Sequence, residues 1–266
     1  MSIDECIAAY TSLSDRVFQK KTIIPIKVKG ELRERFDSEK LKQVVKEMIT
    51  KKGLEEDALL KDEPDAICKV FVCATSRQAA GTVCLTSYRS LRSDNDLLKA
   101  TKIWEACRAT SAASSFFDPI TIGPLNEEFL DGGTGANNPV WELWHQAQIV
   151  WGHQMLEKNL KCLVSIGTGV SSHKPFKDNV FRIHDTLIAM ATETEQTAER
   201  FRKDKSHLSD EGRYFRFNVW HGLEDIGLEE SKKIKDIAAV TRKYLSLEEV
   251  YKQMEKCASS LRQPIS

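Results

Sequence analysis

Phe129-Leu130-Asp131-Gly132-Gly133-Thr134-Gly135-Ala136-Asn137-Asn138-Pro139 is the stretch whose reading decides the fold. A short apolar run ends in Asp131, and three glycines within four positions then free the backbone. Glycine admits positive φ, and it lets another backbone come close where a Cβ would block the approach. Asn138 and Pro139 read as the N-cap and first residue of the helix that follows. The pattern therefore predicts Asp131 at a strand end, on a tight turn, facing the start of a helix. Open α/β sheets keep their reactive groups at such places. Two readings of Asp131 stand side by side: a cap for a glycine-rich turn, and a reactive carboxylate.

Upstream, Ser2-x-x-Glu5 is a capping box, and Ile3, Ile7, Tyr10, Leu13 and Val17 repeat on one face of a helix over 2–18. Residues 20–37 are charged and irregular around Pro25 and Gly30, and a second helix is predicted over 38–50. The run 66–75 is apolar enough for an inner strand, with 82–88 as its partner. Residues 97–113 read as mostly helical and end in the small-residue run Arg108-Ala-Thr-Ser-Ala-Ala113. Downstream, Trp141, Leu143, Trp144, Ala147 and Trp151 form a broad stripe on a helix over 140–156, a pattern that suits a core better than a cofactor box. A strand over 161–166 runs into Gly167-Thr168-Gly169, which lacks the third glycine and following helix of a dinucleotide loop. A long helix over 179–202, a strand over 214–220 and helices over 229–244 and 247–261 complete the chain. The order is that of an α/β fold.

Lysine plus arginine and aspartate plus glutamate each number 39, so the formal net charge is zero. No basic block marks a nucleic-acid surface. No apolar run has the length of a transmembrane segment, and no leader is expected. The seven cysteines are odd in number and scattered through apolar segments, and no Asn-x-Ser/Thr sequon occurs. A reduced, soluble, cytoplasmic chain is expected.

Several segments together resemble the patatin-like phospholipases, their fungal members above all. These are 68–76, Trp104–Ala113 with Phe116-Phe117, Asp131-Gly132-Gly133 running into Asn137-Asn138-Pro139, and Leu163–Gly169. The resemblance thins after about Trp220. It implies a three-layer α/β sheet with helices on both faces. Residues 1–158 are then the C-terminal part of a patatin-like phospholipase domain, and 159–266 its remaining strands with a helical C-terminal extension. It also implies hydrolysis of a phospholipid or glyceride acyl ester by a Ser–Asp dyad, with no metal or organic cofactor and with peripheral membrane contact. Asp131 of the Asp131-Gly132-Gly133 motif matches the dyad's general base. A serine hydroxyl needs such a base within hydrogen-bond reach. An ordinary aspartate, with a pKa of about 3.9, is a weak one at neutral pH unless desolvation raises its basicity.

The family's Gly-x-Ser-x-Gly elbow and glycine-rich oxyanion loop do not occur in the 266 residues. Both precede the matched segments in the family, so the resemblance implies a sheet short of its N-terminal strands and a chain inactive by itself. The alternative expectation is a non-catalytic module that binds lipid or protein with the same surface. Ser171-x-x-Lys174 has the spacing of another acyl-transfer pair but no companions, and the six histidines form no ligand set.

Overall fold

Ser2 and Glu5 act as their spacing predicts. The Glu5 N–H donates to Ser2 Oγ at 3.2 Å, the Ser2 N–H donates to Glu5 Oε2 at 2.7 Å, and helix α1 (Ile3–Val17) starts there. The computed structural model describes residues 1–19, 35–90, 95–113, 116–170, 181–224, 226–227 and 229–262. The chain divides into two compact units, Met1–Ala136 and Asn137–Ser266.

In the first unit, Asp37 caps α2 (Ser38–Lys51) by accepting from the N–H groups of Glu39 and Lys40 at 3.0 and 3.3 Å. Helices α1 and α2 pack together, with Arg16 bidentate on Glu47 at 2.7 and 3.0 Å. The predicted apolar row of α1 is largely not core: Ile3, Ile7 and Tyr10 are exposed, while Ser14 and Val17 are buried. Burial concentrates at the C-terminal end because an aromatic cluster forms there. Phe18 lies 5.1 Å from Phe36 and 6.0 Å from Phe117 between ring centroids.

Strands β1 (Phe71–Ser76) and β2 (Gly81–Thr86) form the expected hairpin. The mostly helical stretch expected over 97–113 is two helices, α3 (Asn95–Ala100) and α4 (Ile103–Ala109). The break has a local cause. Thr101 Oγ1 closes α3 on the Leu97 carbonyl at 2.7 Å, and the Lys102 N–H opens α4 on Glu105 Oε2 at 2.9 Å. Strands β3 (Ile120–Ile122) and β4 (Glu127–Asp131) complete an antiparallel sheet in the order β2-β1-β4-β3. Its core joins Ala74, Leu85, Ile122 and Phe129 of the sheet to Leu97, Ala106 and Ala109 of the helices. A single helical turn, α5 (Gly133–Ala136), lies against β1 and β2.

In the second unit, the Trp-rich helix is two helices, α6 (Val140–Trp151) and α7 (His153–Asn159). The chain breaks at Gly152, whose φ of 78° only glycine adopts without strain. Strand β5 (Leu163–Ile166) pairs parallel with β6 (Tyr214–Phe217), and between them in sequence run α8 (Phe181–Asp204) and α9 (Ser206–Asp210). Helices α10 (Ile234–Leu245) and α11 (Glu248–Arg262) follow. The tryptophan stripe is core in part. Trp144 is buried beside Val140, Leu156, Leu163, Phe201, Leu208 and Tyr214, whereas Trp151 is exposed. Phe201 is the hub, with ring centroids 5.0 Å from Trp141, 5.9 Å from Trp144 and 5.1 Å from Tyr214. Mixed helices and strands in both units make this an α/β protein, as the sequence pattern indicated.

Phe201→Ala removes a ring of 0% exposure and leaves a cavity among three aromatic neighbours. A loss of about 3–5 kcal/mol is expected in urea unfolding. Ile3→Ala, at a position 79% exposed, is expected to change stability by no more than about 0.5 kcal/mol.

Candidate active site

Asp131 is the last residue of β4, and four neighbours fix it. Its register partner on β1 is Ala74. Its N–H donates to the Ala112 carbonyl at 3.0 Å, so the small-residue run after α4 lies directly against it. Its own carbonyl accepts from Thr75 Oγ1 at 2.9 Å. Its Oδ1 accepts from the Gly133 N–H at 2.8 Å, an Asx-type contact that also begins α5. The capping reading is therefore realised, and backbone and side chain are both held in place.

The glycines serve close approach rather than unusual dihedrals, since neither Gly132 nor Gly135 has φ in the left-handed region. A Cβ on Gly132 would stand 2.7 Å from the Cys73 carbonyl carbon, 2.8 Å from Cys73 Cβ, and closer still to the carbonyl oxygen. A Cβ on Gly135 would lie 3.1 Å from Thr82 Oγ1. The turn presses onto β1 and β2, and only glycine fits at Gly132.

Burial dominates the electrostatics of the carboxylate. Desolvation raises the Asp131 pKa above its ordinary value, and the Gly133 N–H offsets part of that rise. The result is a carboxylate of increased basicity in a fixed orientation. Arg108 lies four residues before Ala112 in the same motif and is buried. Its Nη2 donates to the Asp118 carbonyl at 2.8 Å, while the Asp118 carboxylate accepts from Ser38 Oγ at 2.8 Å. That strut ties the segment after α4 to the start of α2.

In the second unit, Asn138 Oδ1 accepts from the Val140 N–H at 3.3 Å, but the N-cap is Pro139 rather than Asn138, so α6 starts one residue later than the sequence predicts. Gly169 has φ of 106° and donates its N–H to Asn218 Oδ1 at 2.7 Å. Asn218 Nδ2 donates to Glu195 Oε1 at 2.8 Å, and Arg216 Nη2 donates to the same oxygen at 3.1 Å. This network fixes the Gly167-Thr168-Gly169 loop. Sequence reading missed Thr75, Ala112 and Asn218, for their roles are contacts between sequence-distant segments. Only the small-residue run 108–113 carried a signal. Ser171 and Lys174 lie outside the described residues. Among the described residues no group of three or more His, Cys, Asp or Glu is placed to hold a metal ion, and no helix is long and apolar enough to cross a membrane.

Residues 2–144 match the family model described as patatin-like phospholipase. The chain is similar to calcium-independent phospholipase A2-gamma of Rattus norvegicus, 27% identical over 98% of this chain and 33% of the relative. The Homo sapiens protein of the same description is 30% identical over 61% of this chain and 20% of its own length. Phospholipase A I of Arabidopsis thaliana is 33% identical over 44% of this chain and 9% of its own length. The chain thus spans about a third of the first of these relatives.

Gly132→Ala is expected to cost about 1–3 kcal/mol in thermal or urea unfolding, because Cys73 is backbone of an inner strand and cannot yield cheaply. Asp131→Asn is expected to stabilise at neutral pH. A carboxyl whose folded pKa is raised contributes stability below its unfolded pKa, and that contribution is lost as pH rises through the folded pKa. The melting temperature of the Asn variant should therefore exceed that of the parent near pH 7, and the gap should close as pH falls toward the ordinary aspartate pKa.

Proposed function

The chain belongs to the patatin-like phospholipase family, and from that premise we propose that it carries the base-bearing part of a lipid acyl hydrolase, with Asp131 as general base of a Ser–Asp dyad. The observation that carries the reading is the Asp131 carboxylate itself. It stands at a strand end, aimed by the Gly133 N–H and made more basic by burial. In the proposed step Asp131 takes the proton of a serine hydroxyl as the oxygen attacks the acyl carbon. It then returns that proton to the departing alcohol. The substrate is the acyl ester of a phospholipid or a glyceride, met at a membrane surface without insertion of a helix. Relatives described as phospholipases support that substrate class.

No Gly-x-Ser-x-Gly lies within the 266 residues. In this reading the serine that Asp131 serves lies outside them, and the 266-residue chain alone does not turn over. The same observation favours a second reading, a module that binds lipid or protein without hydrolysis. The two differ in what Asp131 does when the serine segment is present.

The 266-residue chain should release no nitrophenol from short-chain nitrophenyl esters above buffer and should take no label from a fluorophosphonate. A protein that joins this chain to a Gly-x-Ser-x-Gly segment of its own gene should be labelled and should hydrolyse phosphatidylcholine vesicles. In that protein Asp131→Asn should lower kcat by about 100- to 10,000-fold, the usual worth of a positioned base. Unchanged kcat in the Asn variant would remove Asp131 from the mechanism. Vesicle binding with no hydrolysis in either form would establish the binding module.

A further inference from the structure

Cys162 and Cys257 are separated by 95 positions in sequence, yet their sulfurs stand 3.8 Å apart in the second unit. Cys162 immediately precedes β5 and is half-buried, while Cys257 lies on the inner face of α11 and is 7% exposed. Both are free thiols. Helix α11 packs on β6 and α10. Val250 is 1% exposed in a small cluster with Val219 and Tyr244, and Ser260 Oγ donates to the Gly212 carbonyl at 3.0 Å. Much of the rest of its surface is charged and solvated, as at Lys252 and Glu248. The thiol pair thus sits where α11 meets the start of β5.

We propose that Cys162 and Cys257 are an oxidisable pair, which a hydroperoxide joins into a disulfide that fastens α11 to β5. The sulfurs are already in van der Waals contact, and side-chain rotation closes the remaining gap to a bond of about 2.0 Å. Cys162, the more exposed partner, reacts first. Its sulfur attacks the outer peroxide oxygen, the O–O bond breaks, and the thiol proton leaves with the alcohol, giving a sulfenic acid. The Cys257 sulfur then attacks the Cys162 sulfur, the S–O bond breaks, and the hydroxyl departs as water with the second thiol proton. Two thiols lose two electrons and two protons, and one hydroperoxide becomes one alcohol and one water.

The environment sets the speed of this device. Burial, together with the adjoining Cys257 thiol, pushes the Cys162 thiol up to about 12. The reactive thiolate is scarce at neutral pH, so the pair ignores brief exposure and records sustained oxidation. The product closes a long loop and thereby restricts the unfolded chain, which raises the stability of the second unit.

The test treats the 266-residue chain with hydrogen peroxide, blocks remaining thiols with N-ethylmaleimide in denaturant, and maps peptides by mass spectrometry. A linked peptide containing Cys162 and Cys257 is expected, released by dithiothreitol, together with a higher melting temperature for the oxidised protein. Formation should quicken about tenfold per pH unit between pH 7 and 9, following the thiolate fraction. In Cys162→Ser both the linked peptide and the melting-temperature rise should vanish, with Cys257 left open to alkylation. Cys257→Ala gives the same information from the buried side, and if it does not fold, the Cys162→Ser protein alone decides. Peroxide-treated protein in which both cysteines remain alkylatable, or in which either is bonded to a different cysteine or to a second chain, overturns the proposal.

Discussion

Gly132 lies so near the backbone of Cys73 that a Cβ there would clash, and the geometry around Asp131 depends on that fit. Strand β4 pairs with β1 only from Phe129 to Asp131, so three register pairs carry the connection. At the last of these the chain has to leave the sheet. It does so by folding down onto β1 rather than away from it, and the α5 turn then lies against β1 and β2. Any side chain at Gly132 would push the turn off the sheet, and with it the Gly133 N–H that orients the carboxylate. One missing Cβ thus links sheet pairing, turn geometry and carboxylate aim.

The supports of Asp131 are spread along the chain. Thr75 comes from β1, Ala112 from the segment after α4, and Gly133 from the turn itself. Ala112 and Ala109 have zero exposure, which is how the segment comes close enough for its carbonyl to meet the Asp131 N–H. Arg108 secures that segment from the other side through Asp118 and Ser38. A carboxylate kept partly dry has to be held by backbone groups, because a mobile cation beside it would lower the basicity that burial raises. In the proposed function that arrangement serves proton transfer.

The second unit answers a similar problem by different means. Its parallel pair β5–β6 is short, and side chains hold the glycine loop beyond β5. They form a polar network. Asn218 bonds to Gly169, to Glu195 and through its own N–H to Tyr244 Oη at 3.2 Å, while Arg216 bridges Glu195 and Ser165. Below it the rings around Phe201 supply the apolar mass. Directional bonds fix the loop, and nondirectional packing fixes the elements that carry those bonds.

Local chemistry was legible in the sequence wherever both partners lie within a few residues. The Ser2–Glu5 box, the hairpin over 71–86, the strand end at Asp131 and the α/β order belong to this class, since capping, alternation and turn propensity are short-range effects. Family-specific segments were legible for the same reason: each is a contiguous word. Tertiary structure alone decided which part of an amphipathic helix finds a partner, so of the apolar row on α1 Ile3, Ile7 and Tyr10 are exposed while Val17 is buried. It also decided that Gly132 is there for contact with Cys73 rather than for its dihedral freedom, that 120–122 is a strand because β4 lies beside it, and that Cys162 meets Cys257. Those facts are contacts between residues distant in the chain, and the periodicity of one segment holds no record of which other segment will lie against it.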